Sequence, residues 1–241
     1  MLVLLLTVRG YWRKGLSLDK RPGGDWYSAF ALFVYAAAFS FAYLRLTAGT
    51  GALILFGSVQ ASMILRVLIQ GGKPRINEWI GLGLAMLGLA YLTAPGLAAP
   101  DLLGAALMAA AGISWGIYSG RGKGSPDPLA VTTGNFVLSL AFALPLAAVG
   151  LVETNATLSY PGLVLAVLSG AVASGVGYSV WYWALRGLTA TRAAVVQLLV
   201  PVLTALGSNL LLGEALSTRL LISGMIILSG IGWVVLYPKA K

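Results

Sequence analysis

The chain contains 241 residues, of which 59% are hydrophobic and 10% are charged, and its mean hydropathy is +0.89. This composition excludes an ordinary water-soluble domain, because so much apolar surface requires a lipid environment. Cysteine and histidine are both absent, which excludes disulfides, thiolate or imidazole metal ligands and catalytic pairs built on histidine. We therefore predict a membrane protein without enzyme activity, cofactor or metal.

Apolar runs long enough to cross a bilayer follow one another along the chain. The first, Met1–Val8, lacks the basic start and the cleavage site of a secretory signal, so it is interpreted as the end of a truncated span. Eight complete runs of about 18 to 25 residues follow, at 27–46, 51–70, 78–95, 102–119, 130–151, 161–184, 192–212 and 219–237. The predicted fold class is an all-α polytopic membrane protein, an inverted-repeat helix bundle with eight complete transmembrane helices and an N-terminal stub of a ninth.

The hydrophobic plan of residues 27–95 recurs at 169–237, displaced by 142 positions. Under this displacement Leu46-Thr47-Ala48 falls on Leu188-Thr189-Ala190, and Gly88 falls on Gly230. We expect a first repeat at 1–98, which lacks its first helix and most of its second, and a complete five-helix second repeat at 99–241. Two repeats of opposite orientation favour a carrier that alternates between outward-open and inward-open states. The alternative is a duplication that only built a stable bundle.

The net charge is +9, and most of the lysine and arginine residues lie in the loops that follow alternate spans. Thirteen cations lie on one side, against Arg45 and Arg219 on the other. This positive-inside bias predicts a cytoplasmic C-terminus in the plasma (inner) membrane and opposite orientations for the two repeats. It favours the lipid bilayer as the partner and argues against nucleic acid. An oligomer is possible but is not predicted.

Three segments carry a resemblance to a known family. They are Ser114-Trp115-Gly116-Ile117-Tyr118 followed by Arg121, the run from Ala184-Leu185-Arg186 to Pro201, and Leu212-Gly213-Glu214 followed by Gly224 and Gly230. In these segments the chain resembles the EamA-type family of drug/metabolite transporters. The resemblance implies ten helices in two inverted five-helix repeats, of which this chain lacks about one and a half. It also implies transport of small metabolites and suggests export.

Polar residues in the span 192–212 form the clearest candidate for a substrate pathway. Gln197, Pro201, Thr204 and Ser208 are spaced by four, three and four residues, which predicts one shared face of a helix. Pro201 removes a backbone donor and frees a carbonyl, so it is expected to open the helix at mid-depth. Alternatively, the hydroxyls bond within their own helix and Gln197 only holds helices together.

The displaced stripe in the first repeat contains Ser62 and Arg66. If Arg66 faces the cavity, its planar guanidinium favours substrates with a carboxylate or phosphate. If Arg66 instead snorkels to the nearby headgroups, it has no part in the pathway.

Aromatic residues supply the remaining pathway candidates, which are Trp115, Tyr118 and Tyr178, with Ser174 one turn before Tyr178. Trp181–Trp183 are better explained as an interfacial belt, and the glycines around Trp115 mainly indicate close helix packing.

Every carboxylate falls in a loop or at a span end, which argues for a facilitator or an exchanger rather than for a carboxylate proton relay. We therefore predict a secondary transporter of small polar or amphipathic molecules, with amino acids as one candidate class. The alternative is a non-transporting membrane scaffold or an inactive truncated carrier.

Overall fold

A computed structural model describes residues 23–94, 101–154, 159–212 and 218–236. Within these ranges the chain is helical and contains no β-strand. The helices are α1 Trp26–Ala42, α2 Ala48–Ile69, α3 Ile76–Thr93, α4 Leu102–Gly122, α5 Pro128–Thr154, α6 Tyr160–Val167, α7 Gly177–Ala184, α8 Ala190–Val196, α9 Leu199–Leu212 and α10 Thr218–Leu236. The stub and Glu214 lie outside the described residues.

Six helical segments of the described chain are long and apolar enough to cross a membrane, and two shorter apolar segments lie at Trp26–Ala42 and at Ala190–Thr204, the latter across the end of α8 and the start of α9. The prediction of a polytopic α-helical membrane protein is confirmed. The helix α1 ends earlier than the predicted run at 46, because the backbone N–H groups of Leu44 and Arg45 bond to carbonyls only three residues back, at 3.2 and 2.9 Å. Such bonds form a turn rather than a continued α-helix.

The region predicted as one α-helix at 161–184 is not a regular α-helix. Between α6 and α7 the residues Leu168–Val176 form a π-helix, in which each N–H bonds to the carbonyl five residues back. Its sequence, Leu-Ser-Gly-Ala-Val-Ala-Ser-Gly-Val, contains mainly small side chains and a single buried residue, Gly175. Few side-chain contacts therefore hold this segment to regular α-helical geometry.

The described residues form two compact units. The first contains residues up to Phe33 together with Arg121–Gly187, and the second contains Val34–Gly120 with the residues from Leu188 onward. In the second unit α3, α8 and α10 surround a core that includes Leu89, Val195, Leu198 and Ile227, all at or near 0% exposure. In the first unit Phe142 of α5 contacts the rings of Trp26 and Phe30 at 6.0 and 5.3 Å.

The repeated triad Leu-Thr-Ala begins a helix in both places. The hydroxyl of Thr47 accepts from the backbone N–H of Thr50 at the start of α2, and the hydroxyl of Thr189 accepts from that of Arg192 at the start of α8. A threonine at this position satisfies one of the N–H groups that the first helical turn leaves without a partner. The two copies therefore share local structure as well as sequence.

The helices α3 and α10 pack closely through glycines, and their contacts are reciprocal. A Cβ atom on Gly81 would lie 2.6 Å from the carbonyl oxygen of Gly230, and a Cβ atom on Gly88 would lie 3.1 Å from that of Ser223. The displacement of 142 carries Gly81 onto Ser223 and Gly88 onto Gly230, so it converts the first contact into the second. A reciprocal pattern of this kind is typical of a two-fold relation between like surfaces.

Candidate functional site

The second unit contains a helix interruption at Gln197 and Leu198, between α8 and α9. Pro201 has no N–H to give to the carbonyl of Gln197, four residues earlier, and its ring crowds that carbonyl. The Gln197 carbonyl accepts instead from the N–H of Val200 at 3.0 Å, and the N–H of Leu198 turns to the Val195 carbonyl at 3.0 Å. The prediction that Pro201 opens this helix is confirmed.

The interruption leaves the carbonyl of Ala194 without its usual helical donor, Leu198. The side-chain Nε2 of Gln60 in α2 donates to this oxygen at 2.7 Å. Gln60 is only 4% exposed, so the bond replaces a backbone hydrogen bond in a place where water is largely excluded. A side chain of α2 thus stabilises the interrupted helix α8–α9.

A second amide, Gln197, lies at the interruption itself and is 6% exposed. Its Oε1 accepts from the indole Nε1–H of Trp115 in α4. Its Nε2 points to the Sδ of Met63 in α2 at 3.1 Å. Sulfur is a weak acceptor, so the amide is held chiefly by Trp115.

Two aromatic rings lie beside Trp115, the residue that donates to Gln197. The Trp115 ring lies 4.9 Å from the ring of Tyr35 and 5.8 Å from that of Tyr118, measured between centroids. Tyr118 is fully buried, whereas Trp115 is partly exposed. Rings at these separations form favourable tilted contacts, and they place apolar aromatic groups beside the polar groups of the interruption.

Ser62 and Arg66 lie along the face of α2 that meets the glycines of α4. Gly116 leaves no room for a side chain beside Ser62, and a Cβ on Gly120 would come within 2.9 Å of the Arg66 guanidinium. The Ser62 hydroxyl donates to the Val59 carbonyl of its own helix at 2.9 Å, as the alternative interpretation of such hydroxyls expects. Arg66 is half-buried in the last turn of α2, where the helix dipole favours a cation.

The four residues of the predicted stripe do not all share one helix. Gln197 lies in the interruption, whereas Pro201, Thr204 and Ser208 belong to α9. Pro201 is half-buried and Thr204 is exposed, while the side chain of Ser208 is outside the described part of the structure. The predicted stripe does not continue across the interruption, because it assumed regular helical geometry across the proline, and the face that Pro201, Thr204 and Ser208 share stays a prediction.

Ser174 and Tyr178 lie in the first unit, in the π-helix and in α7. Both are partly buried, and the ring of Tyr178 lies 5.8 Å from that of Phe136 in α5. Within the first unit, Tyr178 thus contacts α5. The role of Ser174 and Tyr178 in a pathway stays a prediction.

A polar network in the first unit joins the start of α1 to α4 and α5. Arg121 donates to the Asp25 carboxylate at 2.8 Å and to the Ser28 hydroxyl at 2.9 Å, and the Asn135 oxygen accepts from the Asp25 backbone N–H at 3.1 Å. Partial burial raises the pKa of Asp25, but the Ser28 hydrogen bonds and the Arg121 charge outweigh it and hold that pKa below its ordinary value. Asp25 is thus an ionised anchor rather than a proton relay.

Sequence reasoning missed Gln60, Met63 and Tyr35. Gln60 carried a usable signal, because an uncharged amide near the middle of an apolar run needs a partner in lipid. The displacement of 142 places Gln60 on Val202, beside Pro201 and outside the predicted stripe, so the repeat pattern gave no indication of it. Across the described residues no cluster of three or more acidic, histidine or cysteine side chains could hold a metal ion.

Comparisons with known proteins agree with this architecture. The chain is 50% identical over 230 residues to "Uncharacterized protein PA1977" of Pseudomonas aeruginosa, and the match covers 93% of this chain and 78% of that protein. It is 28% identical over 238 residues to an "Uncharacterized transporter" of Archaeoglobus fulgidus, covering 94% and 81%. A solved structure described as "Crystal structure of protein" shares the fold at a TM-score of 0.77 and 19% identity, covering 98% and 84%.

The family resemblance drawn from the motifs around Trp115 and Pro201 is confirmed. The model of the "EamA-like transporter family" matches residues 102–236, which is more than half of the chain. Members of this family are transporters and not enzymes. The chain belongs to the EamA-like transporter family.

Proposed function

We propose that this protein is a secondary transporter that moves small polar or amphipathic molecules across the membrane by alternating access. The observation that carries the proposal is the interrupted helix α8–α9, with the buried amides of Gln60 and Gln197 at the break. Interrupted membrane helices expose backbone polar groups at mid-depth, and transporters use such groups to bind their substrates. A structural bundle has no comparable need for a break that two side-chain amides must stabilise.

Two halves of inverted topology can exchange outward-open and inward-open states by rocking against each other, and we propose this relation for residues 1–98 and 99–241. The reciprocal glycine contacts of α3 and α10 support this relation, as do the matching threonine caps of α2 and α8. In the crossing, the contact of Gly81 with Gly230 and that of Gly88 with Ser223 run in opposite directions along the two helices. This is the pattern expected for antiparallel partners. We also propose that α1 and the α8–α9 pair cross the bilayer, giving eight spans.

The charges of the described residues bear on substrate and coupling. Asp25, Glu78, Asp101 and Asp127 all lie at or just before the first turn of a helix, and no carboxylate of the described chain lies in the middle of a span. A facilitator or an exchanger is therefore favoured over a carrier with a carboxylate proton relay. Gln197, Pro201, Trp115, Tyr118, Thr204, Ser208, Ser62, Arg66, Ser174 and Tyr178 remain the proposed pathway residues. Small polar solutes, including amino acids, are the proposed substrates, and export is the proposed direction.

For the topology, we propose a plasma (inner) membrane location with the C-terminus in the cytoplasm, on the basis of the asymmetric distribution of lysine and arginine. The natural absence of cysteine allows a direct test with single introduced cysteines. In intact cells, a membrane-impermeant maleimide should label Asp101→Cys and leave Lys123→Cys unlabelled until the cells are opened. The reverse pattern would invert the proposed orientation.

The proposed transport is tested by counterflow of a labelled amino-acid and metabolite pool into proteoliposomes that contain the purified chain. We expect saturable uptake that empty liposomes lack. Trp115→Phe, which removes the donor to Gln197 but keeps an aromatic ring, should lower the uptake about tenfold, since an unpaired buried amide shifts free energies by about 1–3 kcal/mol. Its melting temperature should fall by roughly 2–4 °C for each kcal/mol of this cost, so the variant should stay folded at the assay temperature.

The alternative function is a non-transporting scaffold or an inactive carrier. Absence of uptake by the folded wild-type chain would favour this alternative. If Trp115→Phe leaves the uptake unchanged, the transport function would be retained, but Gln197 and its bond to Trp115 would have no part in the pathway.

A further inference from the structure

We propose that the side-chain oxygen of Gln60 is a substrate-binding acceptor, which selects molecules that carry an N–H or O–H donor. The proposal rests on the transport function above and assigns a chemical class to its substrate. Gln60 lies in α2, opposite the interrupted helix α8–α9, and no motif of the sequence analysis included it.

The orientation of the Gln60 amide is fixed by its partner. A backbone carbonyl can only accept a hydrogen bond, so the bond of 2.7 Å to the Ala194 oxygen must come from Nε2. Oε1 then points away from Ala194, and no donor of the described residues lies within hydrogen-bonding reach of this buried atom. Rotating the amide would bring two oxygens together, so the free acceptor cannot be removed by a flip.

A buried amide oxygen without a donor is unfavourable, and native proteins contain few of them. The neighbouring amide of Gln197 shows the usual solution, because its oxygen accepts from Trp115. The two glutamines at the interruption therefore differ at their oxygens. The Gln197 oxygen accepts from a donor of the protein, whereas the Gln60 oxygen has no donor among the described residues.

The surroundings restrict the ligand further. Gln60 lies one turn before Met63, which contacts Gln197, and Gln197 is in turn bonded to Trp115. The Trp115 ring and its neighbour Tyr35, 4.9 Å away and inclined at 41°, are both partly exposed and offer an apolar aromatic surface. A fitting substrate therefore combines a donor group, either an ammonium or a hydroxyl, with an apolar or aromatic portion.

Three probes that share a 2-phenylethyl group test whether binding requires an N–H or O–H donor. They are 2-phenylethylammonium with several N–H donors, 2-phenylethanol with one O–H donor, and N,N,N-trimethyl-2-phenylethylammonium with none. Calorimetric titration of the purified full chain should show that both donor probes bind at least about tenfold tighter than the trimethyl probe. Equal affinity for all three probes, or binding of none, would overturn the proposal. A water molecule that merely satisfied the oxygen would give equal affinities.

Variants of Gln60 test whether the discrimination arises at this residue. Gln60→Met keeps the length of the side chain but has no strong acceptor, so it should abolish the preference for donor probes. Gln60→Glu keeps an acceptor and adds charge, so it should raise the preference for the ammonium probe over the alcohol. Gln70→Met, the same change at the exposed end of α2, should leave all preferences intact. Discrimination that survives in Gln60→Met, or an unchanged preference in Gln60→Glu, would overturn the assignment.

The flux assay distinguishes a failure of this inference from a failure of the proposed function. Saturable flux by the wild type without probe discrimination would overturn the acceptor role of Gln60 alone. Absence of flux by a folded protein would overturn the transport function, whatever the probes show.

Discussion

Replacing Pro201 with alanine is expected to remove most of the transport activity while leaving the protein folded. Alanine restores a backbone N–H that can reach the Gln197 carbonyl, which now accepts from Val200 at 3.0 Å. The chain from Ala190 to Leu212 could then form one regular helix, which is intrinsically more favourable by about 3 kcal/mol per replaced proline. The Ala194 carbonyl would regain its donor from Leu198, and the bond from Gln60 would be displaced. We expect uptake in proteoliposomes to fall by at least about tenfold.

The chain offers a matched control in Pro145, which lies inside the continuous helix α5. Pro145→Ala makes the same chemical change in a helix that is not interrupted, so uptake should remain within about twofold of the wild type. Circular dichroism and melting temperature should show that both variants fold. Full activity in Pro201→Ala would mean that the interruption is only a packing feature and would remove the main support for the proposed pathway.

Sequence reasoning located the elements well where the physical signal is local. Pro201 predicted an opened helix because the missing N–H and the ring clash act within four residues. Thr47 and Thr189 carried a signal of the same local kind, since a threonine hydroxyl caps the turn that follows it, but they were used only as matching positions of the repeat. The apolar runs likewise predicted the helices, because lipid demands about 20 apolar residues for a span.

The features that were predicted incorrectly or missed depend on geometry or on contacts that are not local. The stripe from Gln197 to Ser208 assumed an ideal helix, although Pro201 within it changes the helix geometry. The π-helix at Leu168–Val176 could not be predicted, because the choice between α and π geometry in a run of small residues depends on contacts with other helices. Gln60 was missed because its partner is a carbonyl 134 positions away that is free only when another helix breaks.

The two proposed repeats differ at the helix interruption. The displacement places Gln197 and Pro201 on Leu55 and Val59 in α2, which is an uninterrupted helix with both residues buried. One copy keeps a regular helix and contributes a side-chain amide, while the other copy breaks and contributes a backbone carbonyl. This difference between α2 and α8–α9 is compatible with the proposed transport, because a site between two inverted repeats binds one substrate with groups from both.

The second large effect is expected at the crossing of α3 and α10, where Gly81→Ala should strongly destabilise the protein. The added Cβ would lie 2.6 Å from the carbonyl oxygen of Gly230 and would also clash with the side chain of Val234. The two backbones would have to separate, and overpacking of this kind costs about 1–3 kcal/mol. In membranes, close approach of small residues supplies much of the helix association energy. We expect a clear fall in the melting temperature of the detergent-solubilised protein.

Gly83 provides the control, because it lies on the same helix and a Cβ there would meet nothing within 4 Å. Gly83→Ala should be neutral or slightly stabilising, since alanine is favoured over glycine in a helix by about 0.5–1 kcal/mol. The reciprocal contacts add a sharper expectation. Gly230→Ala should resemble Gly81→Ala, because its Cβ would lie 2.6 Å from the Gly81 carbonyl oxygen. Equal melting temperatures for the Gly81 and Gly83 variants would show that the close crossing does not hold the second unit together, and the symmetry argument built on it would fail as well.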